Sequence, residues 1–168
     1  MVALFCWTAH MVGSTGTLPG VVEVRASDGV RLIGMLRRPN LRGRVPAVLI
    51  LNGSGPLDRD SNMAGQALNV SVAIAEKLAA VGVASLRYDK RGVGESDGDY
   101  LSMGFDAETS DAAIALDALR GIEGVDPARV GVIGHSVGAT IAIRLARTGN
   151  GVTLAVLLYA APKTGATS

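Results

Sequence analysis

The chain is poor in the residues that build disulfides, metal centres and nucleic-acid surfaces. It has one cysteine and two histidines in 168 residues. Cys6 alone cannot close an internal disulfide. His10 and His135 stand far apart with no ligand spacing around either, so a metal site is not expected. Aromatic residues make up 4% of the chain and charged residues 18%, with a net charge of +1. Basic residues gather only at Arg37–Arg38 and at Arg42 and Arg44, around a Pro-Asn turn, which leaves no electrostatic footprint for nucleic acid. No Gly-rich loop ends in Lys-Ser or Lys-Thr, and Gly92-x-Gly94 lacks both the third glycine and the immediate helix of a dinucleotide fingerprint. A membrane-spanning run is missing too. Residues 1–12 (MVALFCWTAHMV) are apolar, but too short to cross a bilayer and without the basic start of an export signal. With the breaker-rich GSTGTLPG that follows, residues 1–20 read as a flexible N-terminal extension, and the default location is cytoplasmic.

What the chain does have is small aliphatic residues. Hydrophobic residues are 48% of it and the mean hydropathy is +0.34, mostly from Ala, Val, Leu and Ile. Such composition suits a parallel sheet buried on both faces. VVEVRA (21–26) alternates, Asp28-Gly29 makes a tight turn, and VRLIGMLRRP (30–39) runs back. PAVLILNG (46–53) is an unbroken apolar run, read as a buried strand. A breaker-rich loop (53–62) leads to a helix expected over 64–80, with Ala67, Val70, Ile74, Leu78 and Val81 at helical spacing. VASLRYD (83–89) is the next strand, followed by a second breaker-rich loop (90–100) and a helix over 106–120. Asp126-Pro127 marks a turn, RVGVIG (129–134) a strand, VGATIAIRLAR (137–147) a helix, and VTLAVLLYAA (152–161) a last strand. After the opening hairpin, strands and helices alternate strictly. The expected fold is therefore α/β, a mostly parallel open sheet with helices on both faces, whose chemistry gathers at the carboxyl ends of the strands.

The strongest chemical signal is Gly134-His135-Ser136-Val137-Gly138. A Gly-x-Ser-x-Gly pattern is weak alone, and Gly94-Glu95-Ser96-Asp97-Gly98 also fits it. Context separates the two. Ser136 falls directly between an apolar strand and an amphipathic helix, where the sharp turn lifts the hydroxyl above the sheet at a helix N-terminus. Gly134 and Gly138 remove side chains that would collide there. Ser96 follows its strand by several residues and reads as a loop residue. Asp58, Arg59 and Asp60, and likewise Lys90, Arg91 and Gly92, read as ties within loops.

GHSVG (134–138), NGSGPLDRD (52–60) and RYDKRGVGES (87–96) together resemble the α/β-hydrolase superfamily. They are most similar to bacterial esterase and serine-aminopeptidase-like members with a GSGPxDRD-type loop. The resemblance spans about residues 21–161 and implies an α/β-hydrolase fold truncated after the sixth strand, with 21–168 a partial domain. It implies Ser136 as the nucleophile, with Gly134, His135 and Gly138 completing the elbow. It implies an oxyanion hole made by the backbone N–H groups of Val137 and Ser54, with Gly55 as the neighbouring option. Asn52 stands where the family often has His. The implied substrate is a small acyl ester or amide, cleaved without any cofactor.

Serine is a poor nucleophile without a base, and the family's order is Ser, then Asp or Glu, then His. Residues 137–168 contain no Asp, no Glu and no His. His135 points elsewhere in such an elbow, and His10 lies before the first strand. The chain is therefore expected to be truncated, and inactive or incomplete alone. A non-catalytic remnant or binding protein, and one half of a split enzyme, are the alternatives. Truncation also turns strand 152–161 into an apolar sheet edge, through which self-association is expected.

Overall fold

The computed structural model describes residues 17–158, so the expectations for 1–16 and for 159–168 fall outside it. The described chain runs β1 (Thr17–Arg25), β2 (Arg31–Pro39), β3 (Val45–Leu51), α1 (Val70–Ala80), β4 (Ala84–Tyr88), α2 (Phe105–Gly121), β5 (Val125–His135), α3 (Val137–Arg147) and β6 (Ala155–Leu158). The six strands form one sheet in the order β1-β2-β4-β3-β5-β6. The hairpin is antiparallel, and β2 meets β4 antiparallel. From β4 onward every pairing is parallel, through β3 and β5 to β6. The architecture is that of an α/β-hydrolase, as the motifs implied.

Period-two alternation along β3 divides its side chains between the two faces. Ala47, Leu49 and Leu51 join the larger core, built with Ala112, Leu116 and Leu119 of α2 and Ile141, Ala142 and Leu145 of α3. Val48 and Ile50 face the other way, with Ile133 and Ala75 of α1. Helices thus cover both faces, two on one and one on the other. Because β3 and β5 lie at the centre of the parallel part, their carboxyl ends deliver the loop after Leu51 and the turn at Ser136 side by side.

The elements differ from the sequence reading in four places. β1 begins at Thr17, not residue 21, because its backbone keeps pairing with β2 as far as Pro39; Pro19 is tolerated because β1 is an edge strand. The helix expected from 64 starts at Val70. Gly65 (φ 79) and Asn69 (φ 51) turn left-handed, and the Asn62 side chain accepts the Asn69 N–H at 2.9 Å. Both favour a loop over a helix turn. The apolar stripe assigned to that helix is also only half used. Ser71, Ala75 and Ala79 are its buried residues, while Val70 and Val81 remain exposed. Asp126-Pro127 sits inside β5, as a bulge where Val45 opposes Val125 but Ala47 opposes Val130. Asp126 Oδ1 accepts from Ala128 N–H at 3.1 Å, so the turn survives within the strand. Last, β6 is described over Ala155–Leu158 where 152–161 was expected; residues 152–154 lie outside it.

Candidate active site

The turn from β5 into α3 is one residue long. Ser136 takes φ 53 and ψ −116 there, a combination that side chains avoid and that marks stored backbone strain. Its N–H donates to Leu158 O at 3.1 Å, and its carbonyl accepts from Ala139 N–H at 2.9 Å. The Ser136 hydroxyl makes no hydrogen bond among the described residues. Val137 opens α3, so its N–H is among those a helix leaves without an internal partner. The two flanking glycines are required by space. A Cβ on Gly134 would strike the Gly138 carbonyl, and one on Gly138 would lie 2.5 Å from Leu51 O and 2.6 Å from Asn52 O. Gly138→Ala is therefore expected to destabilise the chain by about 1–3 kcal/mol, the cost of overpacking against backbone. Urea denaturation followed by circular dichroism checks this.

The loop after β3 reaches the elbow at Gly53. A Cβ built there would lie 3.3 Å from Ser136 Cβ and 3.0 Å from His135 Nδ1. His135 is exposed and shares no hydrogen bond with Ser136 among the described residues. It lines a cavity of about 150 Å³ with Gly53, Leu57, Ile133 and Leu158. Ser54 is exposed, and its N–H donates to no group among the described residues. The Gly55 N–H is engaged, donating to Tyr100 Oη at 2.9 Å. Of the two candidate amides, only that of Ser54 is unengaged.

Four groups of contacts hold this loop. Asn52 donates from Nδ2 to Asp58 O at 2.6 Å and accepts at Oδ1 from Ser61 and Ser71 hydroxyls at 2.6 and 2.8 Å. Asp58 Oδ1 accepts the N–H groups of Asp60 and Asn62. Asp60 pairs with Arg87 at 2.6 Å. Arg59 reaches furthest, to Asp89, which is fully buried at the end of β4. Asp58, Arg59 and Asp60 thus tie the loop together, each to a different partner.

The second loop is bound to the first. Asp89 accepts from Arg59 N–H, Nε and Nη2 and from Glu95 N–H. Arg91 forms a two-bond pair with buried Asp111 of α2, both at 2.7 Å, and a further bond to Asp28. These carboxylates push the already high Arg91 pKa further up. Ser96, the serine of the second pattern match, is buried; its hydroxyl donates to Asp89 O and accepts from Ile33 N–H. Lys90 donates to Gly53 O at 2.6 Å. Sequence reasoning read Lys90 only as a tie within its own loop, and missed Tyr100 and Asp89 as supports of the loop after β3. Their partners are distant in sequence; the one available signal was Lys and Asp directly after an apolar strand, where a free charge is not expected.

Comparison with known proteins places the chain among the α/β-hydrolases. Residues 28–166 match the family described as X-Pro dipeptidyl-peptidase (S15 family). An uncharacterized protein of Mycobacterium tuberculosis is 35% identical over 125 residues, 74% of this chain and 40% of that one. Esterase EstD of Thermotoga maritima is 34% identical over 116 residues, 68% of this chain and 27% of that one. Among solved structures, the Pyrococcus furiosus esterase Pf2001 superposes with a TM-score of 0.67 at 27% identity, covering 83% of this chain and 51% of that one. A hypothetical protein of Pseudomonas aeruginosa gives 0.70 at 25% identity, covering 84% and 42%. The chain spans well under half the length of the curated relatives it matches. No helix among the described residues is long and apolar enough to cross a membrane.

Proposed function

The chain belongs to the X-Pro dipeptidyl-peptidase (S15) family, and from that premise we propose that Ser136 is the nucleophile of a serine hydrolase acting on small carboxylic esters or amides. Ser136 Oγ attacks the carbonyl carbon and yields its proton to a base. Negative charge then collects on the former carbonyl oxygen, which the N–H groups of Val137 and Ser54 receive. Collapse expels the alcohol or amine and leaves an acyl-enzyme, which water cleaves by the same route. The observation that carries this reading is the strained Ser136 backbone at the head of α3, close enough to Gly53, in the loop that bears Ser54, that a Cβ there would lie 3.3 Å from Ser136 Cβ. Base and acid fall, on this reading, in the part of the relatives' length that the chain does not span. Esterase names among the relatives favour ester over amide. Labelling with a fluorophosphonate, read by intact mass, tests whether Ser136 is activated.

One observation favours assembly with another chain, as a split enzyme or a binding protein would need. All four residues of β6 are exposed, and its outer edge carries no partner strand among the described residues. An apolar edge of this kind invites strand addition. Light scattering is expected to give a mass above the 17.2 kDa monomer that rises with concentration. Val156→Lys, which sets a charge on that edge, is expected to lower it. A wild-type chain that stays monomeric throughout counts against edge pairing.

A further inference from the structure

An ammonium group buried away from water must be paired. Lys90 is 4% exposed. Its Nζ donates to Gly53 O at 2.6 Å, pairs with Glu108 Oε1 at 2.7 Å, and lies 5.7 Å from the centre of the Tyr100 ring. The cavity beside it, lined also by Asn52, Glu108 and Ile141, is about 10 Å³, room for one water at most. No substrate group fits there, so Lys90 acts through what it holds.

What it holds is one particular peptide. The Gly53–Ser54 bond is trans. A trans peptide is planar, with its C=O and N–H pointing in opposite directions. Drawing the Gly53 carbonyl toward Lys90 therefore aims the Ser54 N–H away from Lys90. The next amide, of Gly55, is drawn to Tyr100 Oη at 2.9 Å. Lys90 Nζ lies over the Tyr100 ring, and the two side chains hold the carbonyl before Ser54 and the amide after it. Gly53 faces the elbow so closely that a Cβ on it would lie 3.3 Å from Ser136 Cβ.

We propose that Lys90, seated by Glu108 and Tyr100, is a positioning residue that fixes the orientation of the Gly53–Ser54 peptide and so presents the Ser54 N–H to the oxyanion. This rests on the reading of Ser136 as nucleophile and Ser54 as donor. It also gives the buried Lys90–Glu108 pair a purpose beyond stability, since such pairs seldom improve on apolar packing.

Lys90→Met keeps the length of the side chain and removes the donor. Two measurements on the full chain test it: backbone amide and carbonyl resonances, and the rate of Ser136 labelling by a fluorophosphonate across probe concentrations. In Lys90→Met the Gly53 carbonyl and Ser54 amide resonances are expected to shift and broaden, while those of β3 and α3 stay. The maximal labelling rate is expected to fall about a hundredfold, the scale of one lost oxyanion donor, with the half-saturating probe concentration unchanged. Lys90→Arg, which keeps a donor, is expected to recover part of that rate. Unmoved Gly53 and Ser54 resonances in a folded Lys90→Met overturn the proposal. If that variant does not fold, Glu108→Gln removes the counter-charge instead and is followed through the same two resonances. Their shift and broadening there support the positioning by Lys90, and their constancy overturns it. If wild-type Ser136 takes no label while the peptide loosens in the variant, the positioning by Lys90 stands and the nucleophile reading falls.

Discussion

Ser136→Ala is expected to lose whatever fluorophosphonate adduct the unaltered chain gains at this serine. Removing the nucleophile of a complete serine hydrolase costs on the order of 10⁶ in rate, because the remaining groups have nothing to activate. The same substitution in a full-length relative should therefore leave only background hydrolysis. A label that persists in Ser136→Ala places the reactive group elsewhere and ends the case for this serine. The backbone provides a second and independent check. Strain at a non-glycine residue with φ 53 and ψ −116 is worth about 1–3 kcal/mol. Ala keeps the Cβ that causes it, whereas Gly does not. Ser136→Gly is thus expected to be more stable than Ser136→Ala by about 1 kcal/mol, after allowance for the greater chain entropy of glycine. Urea midpoints of the two variants decide this without any catalysis. A Ser136→Gly midpoint below that of Ser136→Ala, as the chain entropy of glycine alone would give, would mean that the turn holds no strain for function to use.

The strand-turn-helix at Ser136 was legible because its geometry is local. Strand, one-residue turn and helix follow each other within Val125–Arg147, and the glycines that permit the turn are its immediate neighbours. The parallel sheet was legible for the same reason, since its strands are unbroken apolar runs. The start of α1 was not. Residues 64–69 carry apolar side chains at helical spacing, yet the Asn62 side chain binds both the backbone N–H and the side chain of Asn69 and holds that stretch as a loop. The exposed Val70 and Val81 misled in the same way, because helical spacing reports an apolar stripe and not what covers it. The supports of the loop after β3 were hidden more deeply. Lys90 and Gly53 are thirty-seven positions apart, and only the parallel pairing of β3 with β4 brings the ends of those strands together.

That same pairing makes Asp89 the residue whose loss should cost the fold most. Asp89 is wholly buried and carries a charge. Its two oxygens accept four hydrogen bonds, three from Arg59 and one from Glu95 N–H. Breaking one side of a buried pair costs about 3–5 kcal/mol, because the other side is left without its partner. Asp89→Ala also orphans the N–H groups of Arg59 and Glu95, so the upper end of that range is expected. That is a large share of the roughly 5–15 kcal/mol that keeps a domain folded. Arg59→Ala should cost less, about 3 kcal/mol, since the two backbone donors to Asp89 remain. Asp89→Asn should rescue little, for its amide would turn an NH₂ toward donors where the carboxylate offers only acceptors. The double variant should lose less than the two single losses combined, because one interaction cannot be removed twice. Urea denaturation of the four variants and the unaltered chain measures all of this. Additive losses would mean that Arg59 and Asp89 stabilise the fold separately, and that the loop bearing Ser54 is anchored to β4 by something other than this pair.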